Sequence, residues 1–189
     1  MALENQRYGR NKNTLVNKTY IGGGEYKRKY DNATDNPEVN KSLYDCAKKA
    51  LKHRSGTELE DMYWIDGNTG EILLEVTDST VKRAIVYSDK IKNTVRKKDN
   101  IVTLHTHPSS MPPSIEDFNS CCANGYKIGY VACHNGRVFE YSSKQIIGER
   151  LYNLSIAKFV KKGFLEFDAQ VKTLEELQKN FLIHFREVT

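Results

Sequence analysis

Two histidines and one aspartate are the residues of this chain whose types and spacing are best suited to chemistry. The segment His105-Thr106-His107-Pro108 places two imidazoles one residue apart, and Asp117 follows ten positions after the second of them. Three such ligands leave one open position on a tetrahedral zinc ion, which is the arrangement of a catalytic site rather than of a closed structural site. The sequence therefore predicts a metal site formed by His105, His107 and Asp117.

The residues around these ligands indicate how the chain would hold them. The apolar run 101–104 predicts a buried strand that ends at the histidines, and alternation along a strand points both side chains to one face. Pro112 and Pro113 stiffen the following loop, and Ser114 is a favourable N-cap for the next helix. The spacing of Ser114 and Asp117 is also close to that of a capping box, which offers a purely structural explanation for both residues.

A metal-dependent hydrolase also needs a base beside the bound water. The candidates for this base are five acidic residues that precede the histidines in the chain: Glu58, Glu60, Asp61, Glu71 and Glu75. Glu58 and Glu60 come just before a predicted strand at 62–65 and would share one of its faces. The alternative is that both only cap the loop after Gly56, so the residues alone leave the base open.

The remaining pattern predicts an α/β protein of the mixed α+β type. Apolar residues at steps of three and four predict a helix that begins at Asn36-Pro37 and ends near Arg54. Extended segments are predicted at 62–65, 71–76, 80–87, 101–104, 126–133 and 138–141. Further helices are predicted after Ser88, after Ser114, over 144–161 and over 174–186.

The positive charge is concentrated at the N-terminal end. Residues 1–30 hold seven basic and two acidic residues, which accounts for the whole formal charge of +5. This composition predicts a basic, flexible arm at 1–35, a core domain at 36–145 and a C-terminal helical extension at 146–189 that packs on the core. The arm could contact nucleic acid, although a solvated leader is the simpler interpretation.

Composition also limits the setting of the protein. No apolar run is long enough to span a bilayer, and the first residues lack the apolar stretch of a signal peptide. We therefore expect a cytoplasmic protein without membrane contact. The three other histidines, His53, His134 and His184, are expected to be surface or packing residues.

The order of these motifs resembles that of the JAB/MPN metalloproteases, whose signature is called the JAMM motif. An upstream Glu, His-x-His-Pro and Pro-Ser-x-x-Asp occur in the family's order, and the likeness covers about residues 55–142. Residues 54–70 resemble a bacterial and phage branch, whose domains occur in or beside phage minor head proteins. One departure is the stretch of six residues between His107 and Ser114, which is one shorter than is usual in the family.

The resemblance implies a curved mixed β-sheet flanked by helices, with the family's cytidine-deaminase-like core. It implies that His105, His107 and Asp117 bind Zn²⁺. Glu58 would be the general acid and base, with Glu60 as the fallback, and Ser114 would donate a hydrogen bond to the oxyanion. The implied activity is that of a zinc metallopeptidase or isopeptidase, acting on a protein or peptide substrate such as a ubiquitin-like conjugate.

Two other functions stay open. The first is a phage-related head or assembly scaffold that uses the fold without catalysis, but this chain keeps every ligand of the motif. The second is a nucleic-acid-associated factor like the RadC-type proteins, which share a similar His-x-His-Pro segment. Against the second, residues 31–189 carry no net formal charge.

Overall fold

The computed structural model describes residues 14–181 and 183–189. Within them the strands are β1 (Met62–Asp66), β2 (Ile72–Val76), β3 (Ile101–His107), β4 (Ile128–Cys133), β5 (Val138–Ser143) and β6 (Ile183–Glu187). The helices are α1 (Lys18–Gly22), α2 (Gly24–Arg28), α3 (Pro37–Arg54), α4 (Asp89–Val95), α5 (Ile115–Asn124), α6 (Glu149–Val160) and α7 (Glu166–Asn180). The protein is therefore of the mixed α/β class, as the sequence predicts.

The strands form one mixed sheet in the order β2-β1-β3-β4-β5-β6. β3 and β4 are parallel, and the other neighbouring pairs are antiparallel. The parallel pair needs a crossover connection, which α5 supplies. Because β1 runs against β3, the beginning of β1 lies beside the end of β3, where Met62 pairs with His105. One corner of the sheet thus brings together the start of β1, the end of β3 and the start of α5.

Each face of the sheet carries its own apolar core. On one face α3 packs through Leu43, Ala47 and other fully buried residues against β1, β3 and β4. The side chain of Asn36 caps this helix by accepting from the N–H of Glu38 at 3.0 Å. On the other face, α5 and α7 cover Trp64 and its neighbours. The histidines of β3 belong to this second face.

Residues 14–35 are packed, so the prediction of a flexible arm over 1–35 is wrong for this part, while residues 1–13 lie outside the described residues. Ile21, Tyr26 and Tyr30 are at most 1% exposed. The hydroxyls of Tyr26 and Tyr30 are 2.8 Å apart, and both rings contact Tyr44 of α3. The charge of this segment predicts an exposed arm, whereas two of its tyrosines, four residues apart, share one buried side of a helical stretch.

The C-terminal prediction of a helix over 174–186 is also wrong. α7 ends at Asn180, and β6 adds to the sheet edge by pairing antiparallel with β5. Ile183 and Phe185 point into the core, while His184 and Arg186 bind Glu140 on the other face. This alternation with period two is typical of a strand and overrides the helical pattern before it.

Among the described residues, no helix combines the length and the apolar character needed to cross a membrane.

Candidate metal centre

The two histidines of β3 point to the same side of the sheet, as their spacing predicts. Every residue of β3 is buried, and His105 and His107 are 3% and 9% exposed. Their Nε2 atoms are 3.0 Å apart. These two imidazole nitrogens, at the end of a buried strand, are two of the three atoms of a group that could hold a metal ion.

Asp117 completes the group from the first turn of α5. Its Oδ1 lies 3.1 Å from Nε2 of His105, and its Oδ2 lies 3.4 Å from Nε2 of His107. The three ligand atoms lie within 4.8 Å of one another. The structure therefore brings together the three residues that the sequence singled out as metal ligands.

His107 is held with its Nε2 directed at His105 and Asp117. Its Nδ1 lies 2.9 Å from the carbonyl oxygen of Met111. A carbonyl oxygen only accepts hydrogen bonds, so Nδ1 must carry the proton and Nε2 of a neutral ring has a lone pair. Nδ1 of His105 is buried and has no hydrogen-bond partner among the described residues. The loop after β3 thus orients one of the two imidazoles by a backbone contact.

Ser114 and Asp117 also form the capping box that the spacing allowed. Oγ of Ser114 accepts from the N–H of Asp117 at 3.3 Å, and Oδ2 of Asp117 accepts from the N–H of Ser114 at 2.7 Å. The capping box is therefore compatible with a role for both residues at the ligand group. The cap fixes the Asp117 carboxylate while leaving Oδ1 directed at His105, and the Ser114 hydroxyl keeps its own proton to donate.

The structure does not bring Glu58, the predicted general base, to the ligand group. The Glu58 carboxylate accepts from Nζ of Lys82 at 2.6 Å and from Nη2 of Arg83 at 2.7 Å. Glu60 is 6% exposed and lines the same cavity as the ligands. The reason is that β1 begins only at Met62, so the face-sharing expected of residues 58 and 60 stops at Glu60. The fallback residue therefore takes the position expected for the base.

The other candidate bases lie elsewhere. Asp61 is fully buried, on the far side of the backbone from Glu60, and is bound by Arg54 and by His53. Glu75 pairs with Lys49 at the surface, and Glu71 is exposed. Of the acidic residues considered, only Glu60 lines the cavity.

The charges of the site act strongly on one another. Burial raises the pKa of the Glu60 carboxyl, against the opposing charges of His107 and His105. For Asp117 burial would also raise the pKa, but the two histidines hold it well below its usual range. Burial alone would lower the pKa of His107, yet its hydrogen bond to Asp117 and the charges of Asp117 and Glu60 raise it to about 9. A cation that binds here would therefore have to displace a proton.

The ligand group opens into a cavity of about 410 Å³. Glu60, Ser114, the ligands and an apolar wall line it, and two residues from distant segments join them: Arg83 and Gln170. Nε2 of Gln170 in α7 donates to the carbonyl of Pro113 at 3.2 Å and lies 3.4 Å from that of Pro112. Neither residue could be found from a local sequence pattern, because both reach the cavity through tertiary packing alone.

The remaining histidines lie outside the ligand group, as expected. His134 is buried, with Nδ1 at 2.6 Å from the carbonyl oxygen of Thr14. Half-exposed His53 binds Asp61, and His184 binds Glu140 on the opposite face of the sheet.

Comparison of the chain with protein-family models, with curated proteins and with solved structures found no match.

Proposed function

We propose that this protein is a zinc-dependent metallopeptidase or isopeptidase with a JAB/MPN-like core, which hydrolyses an amide bond with a metal-activated water. One observation carries the proposal. Two imidazole nitrogens and a carboxylate lie within 4.8 Å of one another, and a buried glutamate lines the same cavity. The arrangement supplies three ligands and a base, which are the parts that this reaction needs.

The donor set fits zinc. Two imidazoles and one carboxylate are ligands that zinc accepts, and three protein ligands leave a position for water. His105, His107 and Asp117 would hold the ion, with the proton of His107 kept on Nδ1 by the Met111 carbonyl. Bound zinc would lower the pKa of its water toward neutrality and polarise the carbonyl of the substrate.

Two side chains of the cavity would handle the proton and the developing charge. Because burial raises its pKa, Glu60 is a stronger base than an exposed glutamate. It would take the proton of the attacking water on a carboxylate oxygen and return it to the leaving nitrogen. Ser114, whose Oγ accepts from the N–H of Asp117, would use its own proton to stabilise the oxyanion.

The substrate class follows from the chemistry of the reaction rather than from a specific contact. A peptide bond and a lysine isopeptide bond are both amides, so a protein, a peptide or a ubiquitin-like conjugate would serve. The alternatives of a phage assembly scaffold and of a RadC-like factor remain predictions, since no contact among the described residues favours either of them.

Metal analysis of the purified protein tests the proposal. We expect about one zinc per chain in the parent and almost none in the His107→Ala variant. His184→Ala is the matched control, because it removes an imidazole on the opposite face of the sheet and should keep the metal. A parent that purifies without zinc and binds none when it is added would refute the proposal.

A second pair of variants tests the base. Glu60→Gln should keep zinc and lose amide hydrolysis, because the amide is nearly isosteric with the carboxylate but cannot accept the proton. Glu58→Gln should keep both zinc and hydrolysis. The opposite pattern would return the role to Glu58.

A further inference from the structure

Arg83 brings a positive charge to the rim of the cavity. It is the one lysine or arginine among the described residues that line the cavity, and its side chain is 61% exposed. Burial raises the pKa of Glu60, and Arg83 is among the cations whose charge opposes that rise. The guanidinium is therefore close enough to the site to act on its charges while remaining open to solvent.

The position of Arg83 is fixed by two contacts with one residue. Its backbone N–H donates to the carbonyl of Glu58 at 3.0 Å, and Nη2 donates to the Glu58 carboxylate at 2.7 Å. Its φ of 55° lies in the left-handed region, which is uncommon for a residue other than glycine and often marks a functional position. A guanidinium has five N–H donors, so this pairing leaves others for a ligand.

A purely structural role does not account for this arrangement. Lys82 already neutralises Glu58, with Nζ at 2.6 Å from the second carboxylate oxygen. Arg83 therefore adds a second cation to a single carboxylate and leaves the group with an excess positive charge. Glu116 also lines the cavity, but it stands in the first turn of α5, where a carboxylate stabilises the helix itself.

We propose that Arg83 binds a carboxylate of the substrate close to the scissile amide, and so makes the site selective for acidic substrates. The inference rests on the proposed amide hydrolysis at the neighbouring ligand group. Arginine suits the task because its planar fork pairs with a carboxylate through two parallel hydrogen bonds. The carboxylate would belong either to an acidic side chain or to a free C-terminus, which present the same group.

Binding of small hydroxamates to the zinc-loaded protein tests the inference without need of a substrate. Hydroxamates bind zinc directly, so the monohydroxamates of succinic, glutaric and adipic acid place a carboxylate at increasing distances from the metal. Neutral alkyl hydroxamates of matched length are the reference probes, and calorimetry gives both affinities. We expect at least one acidic probe to bind the parent about tenfold tighter than its neutral partner.

The variants separate Arg83 from its neighbour. Arg83→Ala should lose the preference for the acidic probe, while Lys82→Ala, which removes the same charge next to the same Glu58, should keep it. Unchanged affinity for the neutral probes in both variants would show that the metal site is intact. Arg83→Glu should turn the preference into discrimination against the acidic probe.

Two further probes identify the source of the carboxylate. Each is a short peptide with a hydroxamate at one end, carrying either a free C-terminal carboxylate or a glutamate side chain with an amidated terminus. The tighter probe identifies the carboxylate that the site selects, and the Arg83→Ala variant should lose that advantage.

The outcomes keep the two proposals apart. Equal binding of acidic and neutral hydroxamates by the parent would overturn the role of Arg83 and leave the zinc site standing. If Lys82→Ala and Arg83→Ala lose the preference for the acidic probe equally, the role of Arg83 would also be overturned. The preference would then come from positive charge near Glu58 in general and not from the Arg83 guanidinium. Failure of every hydroxamate to bind would overturn the proposed function and this inference with it.

Discussion

Acidification should destabilise the protein through His134, whose imidazole is 1% exposed. Its Nδ1 donates to the Thr14 carbonyl, and its Nε2 is buried without a hydrogen-bond partner among the described residues. Burial lowers the pKa of this ring to about 4. The ring must therefore stay neutral in the folded protein, because a second proton on Nε2 would place an unpaired charge in the interior.

The sign and size of the effect follow from the difference between the folded and unfolded pKa values. The unfolded chain takes up the proton near pH 6.5 and the folded protein only near pH 4, so the free energy of unfolding falls as the pH drops between them. The loss from this one group is about 2 kcal/mol between pH 7 and pH 5, and about 3 kcal/mol by pH 4.

Urea unfolding, followed by the fluorescence of Trp64 at a series of pH values, measures this loss. The experiment uses metal-free protein, so that loss of a cation does not contribute. His134→Asn is the comparison, because its amide can still donate to the Thr14 carbonyl but does not titrate. The parent should lose about 2 kcal/mol more than the variant from pH 7 to pH 5. If the free energy of unfolding changes with pH by the same amount in the parent and in His134→Asn, the reasoning is refuted.

Three other predictions concern the site and the two segments that support it. Zinc binding at pH 7 should release about one proton, because the pKa of His107 is raised to about 9 in the metal-free protein. Calorimetry in buffers of different ionisation enthalpy measures the number of protons released, and a value of zero would contradict the prediction. Gln170→Ala should weaken zinc binding by up to about tenfold, because it frees the Pro112-Pro113 loop, whereas the control Lys179→Ala changes an exposed residue and should leave the affinity unchanged. Equal zinc affinities of the two variants would show that the Gln170 contact does not position the ligands. Tyr26→Ala should lower the free energy of unfolding by about 3 kcal/mol or more, because it leaves a cavity among buried rings. A loss below about 1 kcal/mol would mean that residues 14–35 do not contribute to the core.

The grouping of His105, His107 and Asp117 could be predicted from the sequence because most of its geometry is local. His105 and His107 share a face by strand alternation, and the capping box sets Asp117 at the start of the following helix. Both rules act over a few residues and need no knowledge of the tertiary fold.

Which of the two glutamates lines the cavity could not be predicted in this way. Alternation treats Glu58 and Glu60 as equivalent, and what separates them is where β1 begins and which cations lie nearby. Lys82 and Arg83, more than twenty residues further along the chain, hold the Glu58 carboxylate away from the ligands. A contact of that range has no signature in a short window of sequence.

The terminal segments were misjudged for a related reason. The positive charge suggested an exposed arm at 1–35, but within 14–35 the burial of Tyr26 and Tyr30 prevails over it. At the other end, the edge of β5 offers unpaired backbone groups, and pairing with β6 satisfies them. In each case the partner surface decides the structure.

Since the carboxylate of Asp117 contacts His105 and also accepts from the N–H of Ser114, its loss would damage the start of α5 along with the group of three side chains. The amide oxygen of Asn or Gln at this position could still accept from the N–H of Ser114 while the negative charge is removed. A related protein that lost the proposed activity but kept the fold would therefore be expected to carry such an amide at this position. Asn or Gln at this position in a related chain would accordingly point to loss of the proposed metal site rather than to loss of the fold.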